Sequence, residues 1–238
     1  MSDLLTAEHL GALLSIGAVT AGLVVLARRG FGAWLRWMAV LLVAVELSWW
    51  VYVLAGGVPG SELAYSLPLQ LCDAAIFVAA AALWTRRPLL VEVAYFWGLA
   101  GTIQALLTPD LPQHFPTYPY FQYYIAHGGV VAAALVLVIG LRIYPRHPFR
   151  VIGLTIAYTA AVGLVDAVTG ANYMYLRAKP PTATLLDALG PWPVYILAAT
   201  LIAVALLAVL YAPFSLGKVV DSPDKRASSA RKTVDSPD

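Results

Sequence analysis

Seven membrane-spanning helices packed as one bundle are expected from this 238-residue chain on three grounds. Hydrophobic residues make up 61% and charged residues only 12%, with a mean hydropathy of +0.77, far from a soluble composition. Apolar runs recur near the roughly 20 residues a helix needs to cross a bilayer core. Lys and Arg crowd into alternate connections, as they do when helices thread back and forth through a membrane.

Each run has its own markers. The first, 10–27, follows a segment carrying Asp3 and Glu8 but no Lys or Arg, and Arg28 and Arg29 come after it. That polarity is the reverse of a cleaved signal peptide, so the run is expected to be retained. The second, 34–55, carries Trp34 and Trp37 at one end and Trp49 and Trp50 at the other, an aromatic belt at each interface. The third, 67–84, stops before Arg86 and Arg87, and the fourth, 89–107, begins after them. Next comes TPDLPQHFPTYPY (108–120), whose four prolines fix φ and forbid continuous helix. The fifth run is 121–141, and the sixth, 150–169, comes after Arg142 and Arg146 and opens on Arg150. A longer connection, 170–191, precedes the seventh run, 192–213, whose first turn suits Pro191 and Pro193. The interiors are Leu, Ala, Val, Ile and Gly without the strict alternation of barrel strands.

Of the 15 Lys and Arg residues, only Arg177 and Lys179 fall in the connections opposite the crowded ones. The positive-inside rule therefore places the N-terminus outside and the C-terminus in the cytoplasm, for a multi-pass protein of the cell membrane. Residues 1–214 form the transmembrane domain; residues 215–238, which repeat VDSPD at 220–224 and 234–238, read as a disordered polar tail. The basic residues serve topology, so no nucleic acid partner is expected. A lone cysteine allows no internal disulfide, and no phosphate loop, dinucleotide fingerprint or metal spacing occurs, so no metal or cofactor is expected.

Ionisable groups inside spans are costly and begin as functional candidates. Here they are Glu46, Cys72, Asp73, Glu92, His127 and Asp166, with Gln104 as a neutral companion. Counted from the ends of their runs, Cys72 and His127 share a depth near the outer surface. His9, Asn172, Tyr173 and Tyr195 lie at the same surface, so a polar pocket opening outward is expected, with the proline-rich loop over its mouth. Glu92, in the other half, is expected beside Arg86 and Arg87. Arg177 and Lys179 suit an anionic headgroup, which makes membrane lipids the expected partner. Each group also has a packing reading: a cysteine as small filler, a histidine bonded to a carbonyl, a carboxyl bonded to a neighbouring helix. Gly11, Gly17, Gly98, Gly101, Gly128 and Gly129 are close-packing positions.

Five blocks, LPLQLCD (67–73), YFWGLAGTIQALLTPDL (95–111), FQYYIAHGG (121–129), NYMYLRAKP (172–180) and GPWPVY (190–195), resemble the YwaF-type family of bacterial integral membrane proteins. The animal relative of that family is transmembrane protein 164. The resemblance runs from about His9 to Phe214. It implies a lipid acyltransferase with a Cys nucleophile and a His, similar in architecture to the androgen-induced-gene membrane hydrolases, which use Thr and His. Carried over by motif, the pair is Cys72 and His127. Many relatives have His two residues before the Cys, where this chain has Gln70.

Two classes of function fit these residues. In acyl transfer or acyl-ester hydrolysis, His127 takes the thiol proton, Cys72 carries the acyl group, and Gln70, Gln104 or Asn172 stabilises the oxyanion. In transport, Glu46, Asp73, His127 and Asp166 relay protons or bind a cation. A membrane sensor is a third reading, for which the tail is a poor output element. Oligomeric state is left open.

Overall fold

The computed structural model describes residues 6–30, 32–57, 67–109, 111–180 and 184–220, and all regular structure among them is helical. The helices are α1 (Ala7–Arg28), α2 (Leu35–Leu54), α3 (Leu71–Thr85), α4 (Pro88–Leu107), α5 (Tyr118–Gly140), α6 (Pro148–Thr169) and α7 (Val194–Val220). Local chemistry sets their ends. Thr6 caps α1 by accepting the His9 N–H at 3.3 Å. Proline opens α4 and α6 and stands second in α5, so the proline-rich connection already turns helical at Tyr118. Gly170, at φ 81°, closes α6 in the left-handed region where glycine carries no steric penalty. Pro191 and Pro193 stand just ahead of α7 instead of inside its first turn. The polar tail expected over 215–238 lies, from residue 221, outside the described residues.

Six of these helices are long and apolar enough to cross a bilayer. The exception is α3, with 15 residues. At 1.5 Å per residue it spans about 22 Å, short of the roughly 30 Å hydrocarbon core. Its compensation is position: α3 packs against α2, α4 and α5, and Ala75, Ala79 and Ala82 on it are fully buried. Small side chains let those backbones approach closely, which in lipid replaces the hydrophobic drive toward a core. Leu42, Leu83, Phe96, Val130 and Leu137 complete the centre. By contrast, α6 and α7 carry long apolar faces with exposed Leu164, Val168, Leu197 and Leu201. Such faces suit lipid, not water.

Two devices hold the connections. Glu92 is buried, yet it does not pair with Arg86 or Arg87; its Oε1 accepts the N–H groups of Arg146 at 2.8 Å and His147 at 3.2 Å, tying the α5–α6 connection to α4. At the other end, Glu8 holds the proline-rich strap. Its Oε2 accepts the Phe115 N–H at 3.3 Å and lies 3.6 Å from His114, while its carbonyl accepts the Tyr120 hydroxyl at 2.8 Å. His9 Nδ1 and the Tyr124 hydroxyl are 2.9 Å apart beneath them.

Candidate active site: a buried polar layer at the start of α3

The site is built around the first turn of α3. Gln70 is the N-cap with extended backbone; its N–H donates to Asp73 Oδ2 at 3.2 Å, and its Oε1 accepts the Met174 N–H at 2.8 Å. Cys72 comes next as the second helical residue, half-buried and reduced. The Thr102 hydroxyl lies beside its thiol. Thr102 donates its hydroxyl proton to the Trp97 carbonyl at 3.3 Å.

Thr102 reaches Cys72 because α4 is not regular. Residues Trp97–Thr102 form a π-helical stretch, WGLAGT, whose wider turn rotates the rest of the helix relative to its start. Two glycines make room for this. A Cβ on Gly101 would lie 3.2 Å from Leu71 Cδ2, and one on Gly98 would lie 3.4 Å from both Val130 and Ala134 on α5. The Trp97 indole then donates to Thr155 on α6 at 2.8 Å, which locks the widened turn in place.

His127 lies in the same layer. Gly98 faces Val130 and Ala134, and the Tyr123 hydroxyl donates to the Ala105 carbonyl at 2.8 Å, so α4 and α5 run antiparallel in a register that sets Thr102 level with His127. His127 Nδ1 is 2.8 Å from the Tyr123 carbonyl, and its ring lies 4.2 Å from the Tyr123 ring. A carbonyl only accepts, so Nδ1 carries the proton and the neutral ring keeps its lone pair on Nε2. No hydrogen bond joins Cys72 to His127, whose Nδ1 is committed to the Tyr123 carbonyl. From α2, the buried Glu46 lies within electrostatic range of Asp73 and Cys72. Four helices thus supply Glu46, Cys72, Asp73, Thr102 and His127 to one layer.

The remaining candidates form a plug over this turn. Asp166, fully buried at the end of α6, accepts the Tyr173 N–H on Oδ1 at 2.8 Å, while Oδ2 has no partner among the described residues. The Tyr173 oxygen accepts the Leu67 N–H at 2.8 Å, and Tyr158 donates to the Leu69 carbonyl at 3.0 Å. Burial pushes the Tyr173 phenol above its ordinary value. Asn172 accepts the N–H groups of Arg177 at 2.9 Å and Ala178 at 3.0 Å, closing the loop on itself. Met174 and Tyr175 both take φ 54°, a conformation costing non-glycine residues roughly 1–2 kcal/mol each. Tyr195 offsets that cost by donating to the Tyr175 carbonyl, as Trp192 does to Leu176 at 3.0 Å. Both loop cations have partners within the protein. Arg177 covers the carbonyls of Asp166, Gly170 and Ala171 at the C-terminus of α6, and Lys179 pairs with Asp187 at 3.5 Å and lies over the Tyr195 ring at 5.7 Å.

Gln70, Asp73, Asp166, Asn172, Tyr173, Arg177, Lys179 and Tyr195 therefore belong to one assembly, whereas Gln104 is exposed and contributes only a carbonyl to Thr108. Thr102 and Tyr158 are not among the residues that sequence singles out. Glycines three apart in WGLAGT are the available sign of an irregular helix, but nothing in sequence aims Thr102 at a thiol.

No solved structure matches the chain. A bacterial relative, an uncharacterized protein of Treponema pallidum (strain Nichols), is 30% identical over 154 residues, and the match covers 62% of this chain and 62% of the relative. The model of the TMEM164 family matches residues 4–211, nearly the whole helical region. With its blocks running through α3, α4, α5 and the plug, this multi-pass membrane protein belongs to the TMEM164 family.

Proposed function

We propose that this chain performs acyl transfer or acyl-ester hydrolysis inside the membrane, with Cys72 as nucleophile and His127 as proton acceptor. The observation that carries the reading is the single buried layer in which a reduced thiol at a helix start, the Thr102 hydroxyl beside it, and a histidine whose Nδ1 is committed to a carbonyl are brought level by three helices. A rotation of the thiol away from Thr102 delivers its proton to Nε2. The sulfur then attacks the ester carbonyl carbon; a C–S bond forms, the C–O bond breaks, and the leaving alkoxide takes the proton from the imidazolium. An acceptor hydroxyl or water cleaves the thioester by the reverse proton path. The first N–H groups of α3 have no partner within the helix, which suits them to the oxyanion. In the proposed orientation the N-terminus lies outside the cell membrane, and α3 starts toward the outer surface.

The test is intact-mass measurement of purified protein incubated with a phospholipid ester. The expected result is a thioester-linked acyl adduct on wild-type protein, none on Cys72→Ser, and slower formation on His127→Gln. The Glu46–Asp73 interaction favours a second reading, proton or cation transport. No adduct, together with ion flux into liposomes that Glu46→Gln abolishes, would replace the first reading with the second.

A further inference from the structure

On the opposite side of α5 from His127, a cavity of about 730 Å³ lies between α1, α2 and α5. Its size is that of an ordinary ligand site, roughly 300–1,000 Å³, and its lining is almost wholly apolar. The floor is inside the protein: Leu42, Tyr124 and Ala132 are buried, while Val19, Leu41 and Ile125 at the rim are exposed. A void with such walls leaves its lining atoms without dispersion partners, and apolar cavities much smaller than this one stay dry and take up hydrocarbon.

The two ends differ. Past Leu23 the slot is shut, because α1 and α5 touch: a Cβ on Gly140 would lie 2.8 Å from that of Ala27. At the other end stand Glu8, Phe115, Tyr120 and Phe121, and Glu8 is the one charged residue of the lining. Both side-chain contacts of Glu8, with Phe115 and His114, fall on Oε2. From Glu8 to Leu23 the slot runs about 22 Å along α1, longer than the roughly 15 Å of one leaflet's hydrocarbon. A long chain with its head at Glu8 fits that shape, and a carboxylate framed by aromatic rings favours a head that ends in a cation.

We infer that this slot binds one acyl chain of a bilayer lipid whose ammonium-bearing headgroup rests at Glu8, a site separate from the Cys72 layer. Gly11 offers the means of testing it. A Cβ there meets nothing within 4 Å, so Gly11→Phe starts its side chain into open space in the slot lining; Gly17, on α1 but outside the lining, is equally open at Cβ and provides the control. The full chain, in micelles supplied with phosphatidylcholine or phosphatidylglycerol, is studied by native mass spectrometry and thermal melting. Wild-type protein and Gly17→Phe should each retain one phosphatidylcholine under activation that strips other lipids. Gly11→Phe should retain at least tenfold less while melting cooperatively, and Glu8→Gln should erase the preference over phosphatidylglycerol. Thr20, whose buried hydroxyl has no partner among the described residues at the slot wall, should tolerate Thr20→Val with retention unchanged. Equal retention by Gly11→Phe, or a wild-type preference for phosphatidylglycerol, would overturn the assignment. So would loss of the lipid in Thr20→Val, which would mean that the occupant carries a polar acceptor instead of plain hydrocarbon. None of these readouts depends on the reactivity of Cys72.

Discussion

At the residue scale, Thr102 decides what the lone cysteine can do. Its hydroxyl, which donates to the Trp97 carbonyl, lies beside the sulfur and is placed to donate to the thiolate as it forms. Thr102→Val keeps the shape and removes the donor. Acyl-adduct formation at Cys72 should slow about tenfold, equivalent to about 1.4 kcal/mol in the barrier, and Thr102→Ser should restore it, as timed by intact mass. Arg177 is a different kind of residue despite its charge. It covers three carbonyls at the end of α6, so Arg177→Ala should lower stability by about 1–2 kcal/mol without altering lipid headgroup preference. Detergent melting curves and headgroup-resolved native mass spectrometry separate those two effects.

At the scale of elements, the irregular stretch of α4 matters more than any regular helix. Deleting Leu99 removes the extra residue of the π turn and restores α-helical register, which carries Thr102 about 100° around the axis, away from Cys72. Such a variant should keep its helical circular dichroism, lose adduct formation, and show altered Trp97 fluorescence because the bond to Thr155 breaks. The short α3 has the complementary role. Its first turn, capped by Gln70, contributes Cys72 and Asp73 to the buried layer.

At the scale of the whole molecule, the prediction concerns orientation. With Cys72 replaced by Ala, a single cysteine at Ala178 should react with a membrane-impermeant maleimide in intact cells, and one at Arg146 only after lysis. The reverse pattern would invert the proposed orientation and place the start of α3 toward the cytoplasm. The same experiment tests the lopsided distribution of Lys and Arg, which is a statement about connections and not about any site.

Helix number and approximate helix bounds were legible because lipid imposes a one-dimensional rule: a backbone crossing hydrocarbon must satisfy itself within each segment, so apolar length and flanking charge suffice. Thus the run at 89–107 became Pro88–Leu107, and that at 150–169 became Pro148–Thr169. The candidate residues were legible for the same reason, since few ionisable residues enter a span without cause. The grouping was not. Depth counted from the ends of runs treated α3 and α5 as starting at one surface, yet Cys72 is the second residue of its helix and His127 the tenth of its own. They come level because α3 is short and the register of α4 against α5, with its π turn, sets Thr102 level with His127. Gln104 stands exposed outside the group, while Arg177 and Lys179 are tied to neighbouring carbonyls and to Asp187, partners that sequence alone does not show. Sequence determined which chemistry the membrane must hide; only tertiary packing, through the register of α4 against α5 and the fold of the plug, decided which of those groups share one layer.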